Sequence, residues 1–426
     1  MNGNLPVAVS SLLSTNMTEL MLPLFNMLER HIDDFEINAK ELFNCRGIHI
    51  PSRMSTHGLN NHFDATWPMT FWTGGAGWYS MFFYDYFMYT GDTLFLRDRA
   101  LPFMEKALLF YEDFLLEGVD GYYVFNPSYS PENNPANISS QACINATMDI
   151  MIAKQLLRNV MGASKLLGLN KEKMSLWQSM FEKMPPYEIN EKGELREWIW
   201  PNMEENHTHR HASQLYALFD MMDPEFKQRP ELMSGAQKVI DEKMKVRRQE
   251  GGGVMAFGLV QLAFAAAMLG NAEGCSEILE WLTYNYWRNN MVTTHDPYTI
   301  FNLDLSGGYP SVIIKMLVYS EPNILCLFPA LPADFTSGAI EGLLLRGNTL
   351  VKKLQWKDKD IDLEFLPGFN GKVLLKFPKK ISKIYCKGGI IFPGESPDTK
   401  WLEIKKGSMV KLKVTLDSPC YKTFKK

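Results

Sequence analysis

The apolar residues of this chain keep one period to about residue 320 and another afterwards, and that change restricts the fold more than any other feature. Over 144–167, Ile144, Met148, Met151, Ile152 and Leu156 recur at helical spacing. Comparable stretches cover 76–90, 99–116, 171–182, 208–220, 230–245, 255–269, 272–288 and 308–320. Asn16-Met-Thr-Glu19 has the form of a capping box opening a helix through Leu20, Leu24 and Leu28. Past Pro329-Ala-Leu-Pro332 the period drops to two. Ile361, Leu363 and Phe365 alternate with Asp360, Asp362 and Glu364; Val410, Leu412, Val414 and Leu416 alternate with Lys411, Lys413 and Thr415. That is the grammar of half-exposed antiparallel strands, with Pro367-Gly368 and Asn370-Gly371 as turns.

A chain of 426 residues exceeds one ordinary core. The expectation is therefore a helical domain over 1–328 and a small all-β, sandwich-like domain over 329–426. The helices are too many for a four-helix bundle. With long loops at 119–143 and 183–207, they point to a mainly α chain built on an (α/α)6-type toroid. Loops of that length in a compact domain are usually functional.

Charge and cysteine usage exclude several classes. A formal charge of −4, with Lys and Arg scattered rather than gathered into a stripe, argues against a nucleic-acid partner. The six cysteines are far apart and form no C-x-x-C pair, so neither a disulfide framework nor a zinc site is read from them. No run of 18 or more apolar residues suits a membrane span. No segment assigns a compartment.

The segment Gly193–His211 carries the most chemistry. Glu197 stands beside Trp198 and near Trp200, and an acid among aromatic rings can stay protonated near neutrality. His207, His209, Arg210 and His211 follow as a dense set of donors suited to a polyhydroxylated ligand; zinc among these histidines is geometrically possible but unconvincing. Four further segments stand out. Asn126-Pro-Ser-Tyr-Ser-Pro-Glu132-Asn133 is a proline-punctuated loop bearing a carboxylate and an amide. Thr147-Met148-Asp149 opens a helix. His57 through Asp64, followed by Trp67, Trp72 and Trp78, mixes polar groups with rings that serve equally as core or platform. Asp304 precedes Gly307-Gly308 at a helix start.

In order and spacing these segments resemble glycoside hydrolase family 95, known for inverting α-1,2-L-fucosidases and α-L-galactosidases, from about residue 2 to about residue 345. The resemblance rests on Pro-Ser-x-Ser-Pro-Glu-Asn at 127–133, Thr-Met-Asp at 147–149, Glu-Trp at 197–198, His-Arg-His at 209–211, the Asp304 segment and Leu327-Phe-Pro-Ala-Leu-Pro332. It implies that Glu197 is the general acid and Asp304 the catalytic base. Asn2 and Asn4 would position the water, from an Asn-x-Asn motif ahead of Asn16-Met-Thr-Glu19. It further implies that His62, Asp64, Arg210 and His211 contact sugar, with Glu132, Asn133 and Trp78 as further binding residues. No metal or organic cofactor is implied. The partner would be an oligosaccharide or glycan losing a terminal α-L-fucose or α-L-galactose.

The chain departs from the family in three places. The N-terminal β-sandwich and the opening part of the barrel have no counterpart, so the chain reads as truncated just ahead of Asn2. His209-Arg210-His211-Ala212-Ser213-Gln214 stands where the family has His-Arg-His-Leu-Ser-His, and Asp304-Leu-Ser-Gly-Gly where it has Asp-Gly-Asn-Phe-Gly. Two other readings stay open: an inactive or truncated carbohydrate-binding homologue, and another toroid enzyme such as a polysaccharide lyase or sugar phosphorylase.

Overall fold

The computed structural model describes residues 2–421. Its contacts divide the chain into two compact units. One comprises Met1–Val7, Leu22–Tyr84 and Asp92–Leu262; the other comprises Ala8–Met21, Asp85–Gly91 and Ala263–Lys426.

The first unit is helical. Its longest helix, Thr147–Leu167, is buried over most of its length and ends on Gly168 in the left-handed region, where Gly168 N–H returns to the Lys165 carbonyl and Leu169 N–H to that of Ser164. Beside it lies the first-unit part of helix Gly75–Thr90, residues 75–84, which carries no formal charge and is apolar on nearly every side, as a helix enclosed by others must be. Glycine brings these elements together. A Cβ at Gly77 would stand 2.3 Å from Ile152, and one at Gly75 2.3 Å from the Ile50 carbonyl. Packed rings fill the space behind: Phe83 lies 4.3 Å from both Phe25, tilted to it, and Phe103, stacked on it.

Several expected elements shift. Asn16 adopts φ 61° and cannot cap a helix. A 3-10 turn, Thr18–Met21, leads into Leu22–Arg30, which buries Leu24, Phe25 and Leu28 and leaves Leu20 exposed. The 208–220 stretch forms only the 3-10 segment Ser213–Leu218. A helix not expected from the pattern, Ile32–Phe43, ends on Asn44 with φ 54°.

In the second unit, helices Ala272–Tyr286 and Asp304–Leu317 precede two β-sheets. A two-stranded hairpin, Thr294–Asp296 with Thr299–Phe301, lies between these helices, and the strands of the two larger sheets begin at Val318, ahead of the prolines at 329 and 332. One sheet runs in the order Leu343–Leu345, Thr349–Lys357, Asp360–Leu366, Val410–Leu416, Ile381–Lys387, with Ser337–Ile340 also on Thr349–Lys357. The other runs Ile390–Pro393, Thr399–Ile404, Gly371–Lys376, Ile324–Leu327, Val318–Glu321. The alternation seen in sequence is the burial pattern here: Ile361, Leu363 and Phe365 enter the core with Leu412 and Val414, and the charged partners face out. Within this unit Arg346, itself buried, meets buried Asp85 through two bonds, Nη2–Oδ2 at 2.6 Å and Nε–Oδ1 at 3.1 Å.

Candidate active site

Two loops and a helix start build the surroundings of Glu197, all in the first unit. The backbone of Glu197 is held on both sides: its N–H donates to both oxygens of Glu205 at 3.0 Å, and its carbonyl accepts from Thr147 N at 3.0 Å. The Thr147 hydroxyl also donates to the Arg196 carbonyl at 2.7 Å. The Thr-Met-Asp and Glu-Trp motifs are thus one structure. The carboxyl group of Glu197, 1% exposed, receives the Ser130 hydroxyl at 2.7 Å and the Asn133 amide at 3.0 Å.

Both serines of the 127–133 loop have separate tasks. Ser130 serves Glu197, while Ser128 donates to buried Asp149 at 2.7 Å and accepts from Ala146 N at 3.0 Å. Asp149 therefore anchors the loop instead of facing a ligand. Burial pushes its carboxyl up to about 7. A chain of bonds extends from the same loop: Glu132 accepts from Asn2 Nδ2 at 2.8 Å and from Arg210 Nη2 at 3.2 Å. Asn2 is buried and held by this bond. Its amide also lies 3.8 Å from Met69 Sδ. His211 is buried against the Phe257 ring, 4.4 Å between centroids.

The electrostatics separate the groups. Burial raises Glu197 above the usual carboxylate range; buried Lys243 nearby and the Ser130 and Asn133 donors pull the other way without cancelling it. Burial likewise lowers Lys243. Glu205 is pushed up to about 8, first by burial and then by the neighbouring Glu197 charge. Burial also lowers His209 and His211, so both rings are neutral at ordinary pH. Among the described residues no three His, Cys, Asp or Glu side chains converge as metal ligands would, and no helix is long and apolar enough to cross a membrane.

The structure thus brings together Glu197, Asn133, Glu132, Asn2 and Arg210, with His211 on the same segment as Arg210. For the other expected site residues the structure shows their local surroundings. Trp78 is 3% exposed, edge-on to Tyr216 at 5.3 Å and T-shaped to Trp72 at 6.4 Å, so its ring is core and offers no face for stacking. His62 Nε2 bonds the Trp67 carbonyl at 2.8 Å, and Asp64 closes a turn by accepting from Thr66 and Trp67 backbone N–H groups. Asn4 opens the short helix Asn4–Val9. Asp304 belongs to the second unit, where it is buried in the first turn of Asp304–Leu317 and receives the Asn302 amide at 3.2 Å; that amide also lies 3.4 Å from His295 Nδ1.

Residues 2–317 match the glycosyl hydrolase family 95 catalytic domain. The chain belongs to that family. It is 28% identical to alpha-L-fucosidase 2 of Arabidopsis thaliana over 383 residues, which cover 85% of this chain and 43% of that protein. It is 25% identical to the probable alpha-fucosidase A of Aspergillus niger, over 67% of this chain and 37% of that one. The family 95 chain thus spans less than half the length of these relatives. Among solved structures, a putative kojibiose phosphorylase from the human microbiome superposes with a TM-score of 0.52 at 9% identity, over 81% of this chain and 48% of that one. At that identity the likeness is one of fold: mainly helical, of the toroid class, followed by β-sheets.

Three residues of this family 95 site lay outside the sequence reading. Ser130 was present only as a letter of a motif. Lys243 had a visible signal, because Leu232, Ala236, Val239, Ile240, Lys243 and Arg247 form one buried stripe of helix Pro230–Gln249, and two cations in such a stripe need a reason. Glu205 had none.

Proposed function

We propose that this chain carries the catalytic machinery of an exo-acting glycoside hydrolase that removes terminal α-L-fucose, or α-L-galactose, with inversion. The observation that carries this reading is the state of Glu197: a buried carboxyl, raised above its usual range and held by two neutral donors. That is the condition of a general acid at neutral pH.

In this reading Glu197 gives its proton to the glycosidic oxygen as the bond to the anomeric carbon breaks. A water attacks that carbon from the opposite face and gives its proton to Asp304. Asn2 and Asn4 position the water, with Arg210, His211, Glu132 and Asn133 holding the sugar. Glu132 is itself fixed by Asn2 and Arg210, so substrate and water sites would share one bonded chain. His62 and Asp64 serve by shaping the loop that ends at Met69. Inversion requires the two carboxyl groups to stand roughly 6.5–9.5 Å apart with substrate bound.

Fucose and L-galactose differ only at C6, methyl against hydroxymethyl, a difference worth roughly 1–3 kcal/mol of discrimination. The test is release of free sugar from an α-1,2-fucosylated oligosaccharide and an α-L-galactoside in parallel, by the chain and by its Glu197→Gln variant. Release by the former and not the latter is expected. Equal release by both would overturn the assignment of Glu197, and binding of the fucoside without any release would favour a carbohydrate-binding role.

A further inference from the structure

Charge is divided unevenly along this chain. Residues 1–328 hold 25 Lys and Arg against 38 Asp and Glu, whereas residues 329–426 hold 19 against 10. The near balance of the whole conceals an acidic stretch and a basic one, and cations that look scattered over the full length are concentrated in the C-terminal part. An asymmetry of that size marks a partner surface more often than a requirement of folding.

Strand register shows where the lysines gather. On the outer face of the larger sheet, Lys411 and Lys413 stand opposite Glu364 and Asp362 on one side, and Lys411 Nζ meets Glu364 at 2.8 Å. On their other side lies the edge strand Ile381–Lys387, with Lys387 opposite Lys411 and Tyr385 opposite Lys413. Lys383 shares that face. Beyond this strand the sheet offers no further acidic row.

Like charges directly opposite on a sheet are unfavourable; across the Lys387–Lys411 pair, Lys411 is bridged to Glu364, and an anion placed over Lys387 would relieve what repulsion is left. Edge lysines do deter strands of other chains from pairing. That task is met by the edge residues alone. It requires neither a second row of lysines behind them nor Tyr385, 58% exposed, between Lys383 and Lys387.

We propose that this face docks an acidic polysaccharide, its carboxylates or sulfate esters on Lys383, Lys387, Lys411 and Lys413 and one sugar ring against Tyr385. Alternate residues along a strand are about 6.6 Å apart and neighbouring strands about 4.8 Å. By register Lys383 and Lys387 flank Tyr385 along its strand, Lys413 stands opposite it and Lys411 lies one pair further on, a spread of charge that suits an extended polymer better than a single small anion. A sugar polymer is favoured over other polyanions by the exposed ring, which a pyranose face can cover, and by the chain's family. The surface reads charge, whereas the Glu197 pocket reads a terminal sugar. Holding a polymer here raises the effective concentration of its ends.

The test is calorimetric titration of the whole chain with polygalacturonate, a neutral galactan and phosphatidylserine-containing vesicles. It needs no turnover, so its result is independent of the hydrolase reading. Polygalacturonate is expected to bind and the galactan not, with affinity falling roughly tenfold or more between about 50 and about 200 mM salt as counterions compete. Lys383→Glu with Lys387→Glu should remove binding, and Tyr385→Ala should weaken it several-fold while leaving the salt dependence in place. Circular dichroism checks the fold, and Lys383→Gln with Lys387→Gln replaces the first pair if that one unfolds. Unchanged binding by both pairs, equal binding of the neutral polymer, preference for vesicles, or no binding at all would overturn the proposal. So would self-association at low salt that the double variant abolishes, which would give the face to a second copy of the chain.

Discussion

Glu197 and Asp304 are both buried carboxyl groups, and their surroundings differ in kind. Glu197 sits in an irregular segment, its carboxyl bonded by two neutral donors and its N–H bound to a second acid, Glu205. Asp304 occupies the first turn of a fourteen-residue helix, where the helix dipole favours an anion, and takes an amide donor from Asn302. In the proposed reading, surroundings that differ in this way are what would let one protein hold an acid and a base at one pH. The sequence shows both as acids near Trp or Gly; only the surroundings tell them apart.

The largest expected effect breaks the comparison outright. Glu197→Gln should lower turnover of a fucosylated oligosaccharide by about 10²–10⁴-fold, the usual contribution of general acid–base assistance, and Asp304→Asn by a similar factor. The two should then separate on L-fucosyl fluoride, whose leaving group needs no proton. Glu197→Gln should recover most of its rate there and Asp304→Asn should not. If both variants respond alike, the division of roles is wrong.

Next in size is a stability effect. Trp78→Ala removes a core ring and should cost roughly 3–5 kcal/mol in denaturant unfolding. A loss of substrate affinity with unchanged stability would return Trp78 to the binding site.

A smaller shift sharpens the electrostatics. Lys243 opposes the rise of the Glu197 pKa, so Lys243→Met should move the alkaline limb of kcat/KM to higher pH. A limb that moves to lower pH, or not at all, would show that Lys243 does not act on the acid.

A further effect concerns stability against pH. Glu205 is raised from 4.5 to about 8 in the folded chain. Its stabilising contribution is complete below the unfolded value and is lost as pH rises through about 8. The melting temperature should therefore fall over that window, and Glu205→Gln should flatten the fall.

Much of this was legible in the sequence because period and punctuation carry it. The 144–167 pattern yields the Thr147–Leu167 helix, and the alternation at 360–365 yields a strand with its charges outward. The motifs at 127–133, 147–149 and 197–198 foretell a cluster because their hydroxyl and backbone groups bond one another. Other features depend on tertiary context. Asn16 takes a left-handed turn in place of a cap, Trp78 is core because Tyr216 and Phe219 pack against it, and Asp64 spends its carboxylate on its own turn. Lys243 is distant in sequence from every motif and reaches the site only because its helix turns that face inward. The basic C-terminal stretch was readable all along, but a count over the whole chain averages it away.

The most direct test of the central claim is proton NMR of the sugar first released from an α-1,2-fucosylated oligosaccharide, read before mutarotation. An acid at Glu197 and a water-activating base at Asp304 predict the β-anomer. Early appearance of the α-anomer would mean retention, and would contradict both assignments at once.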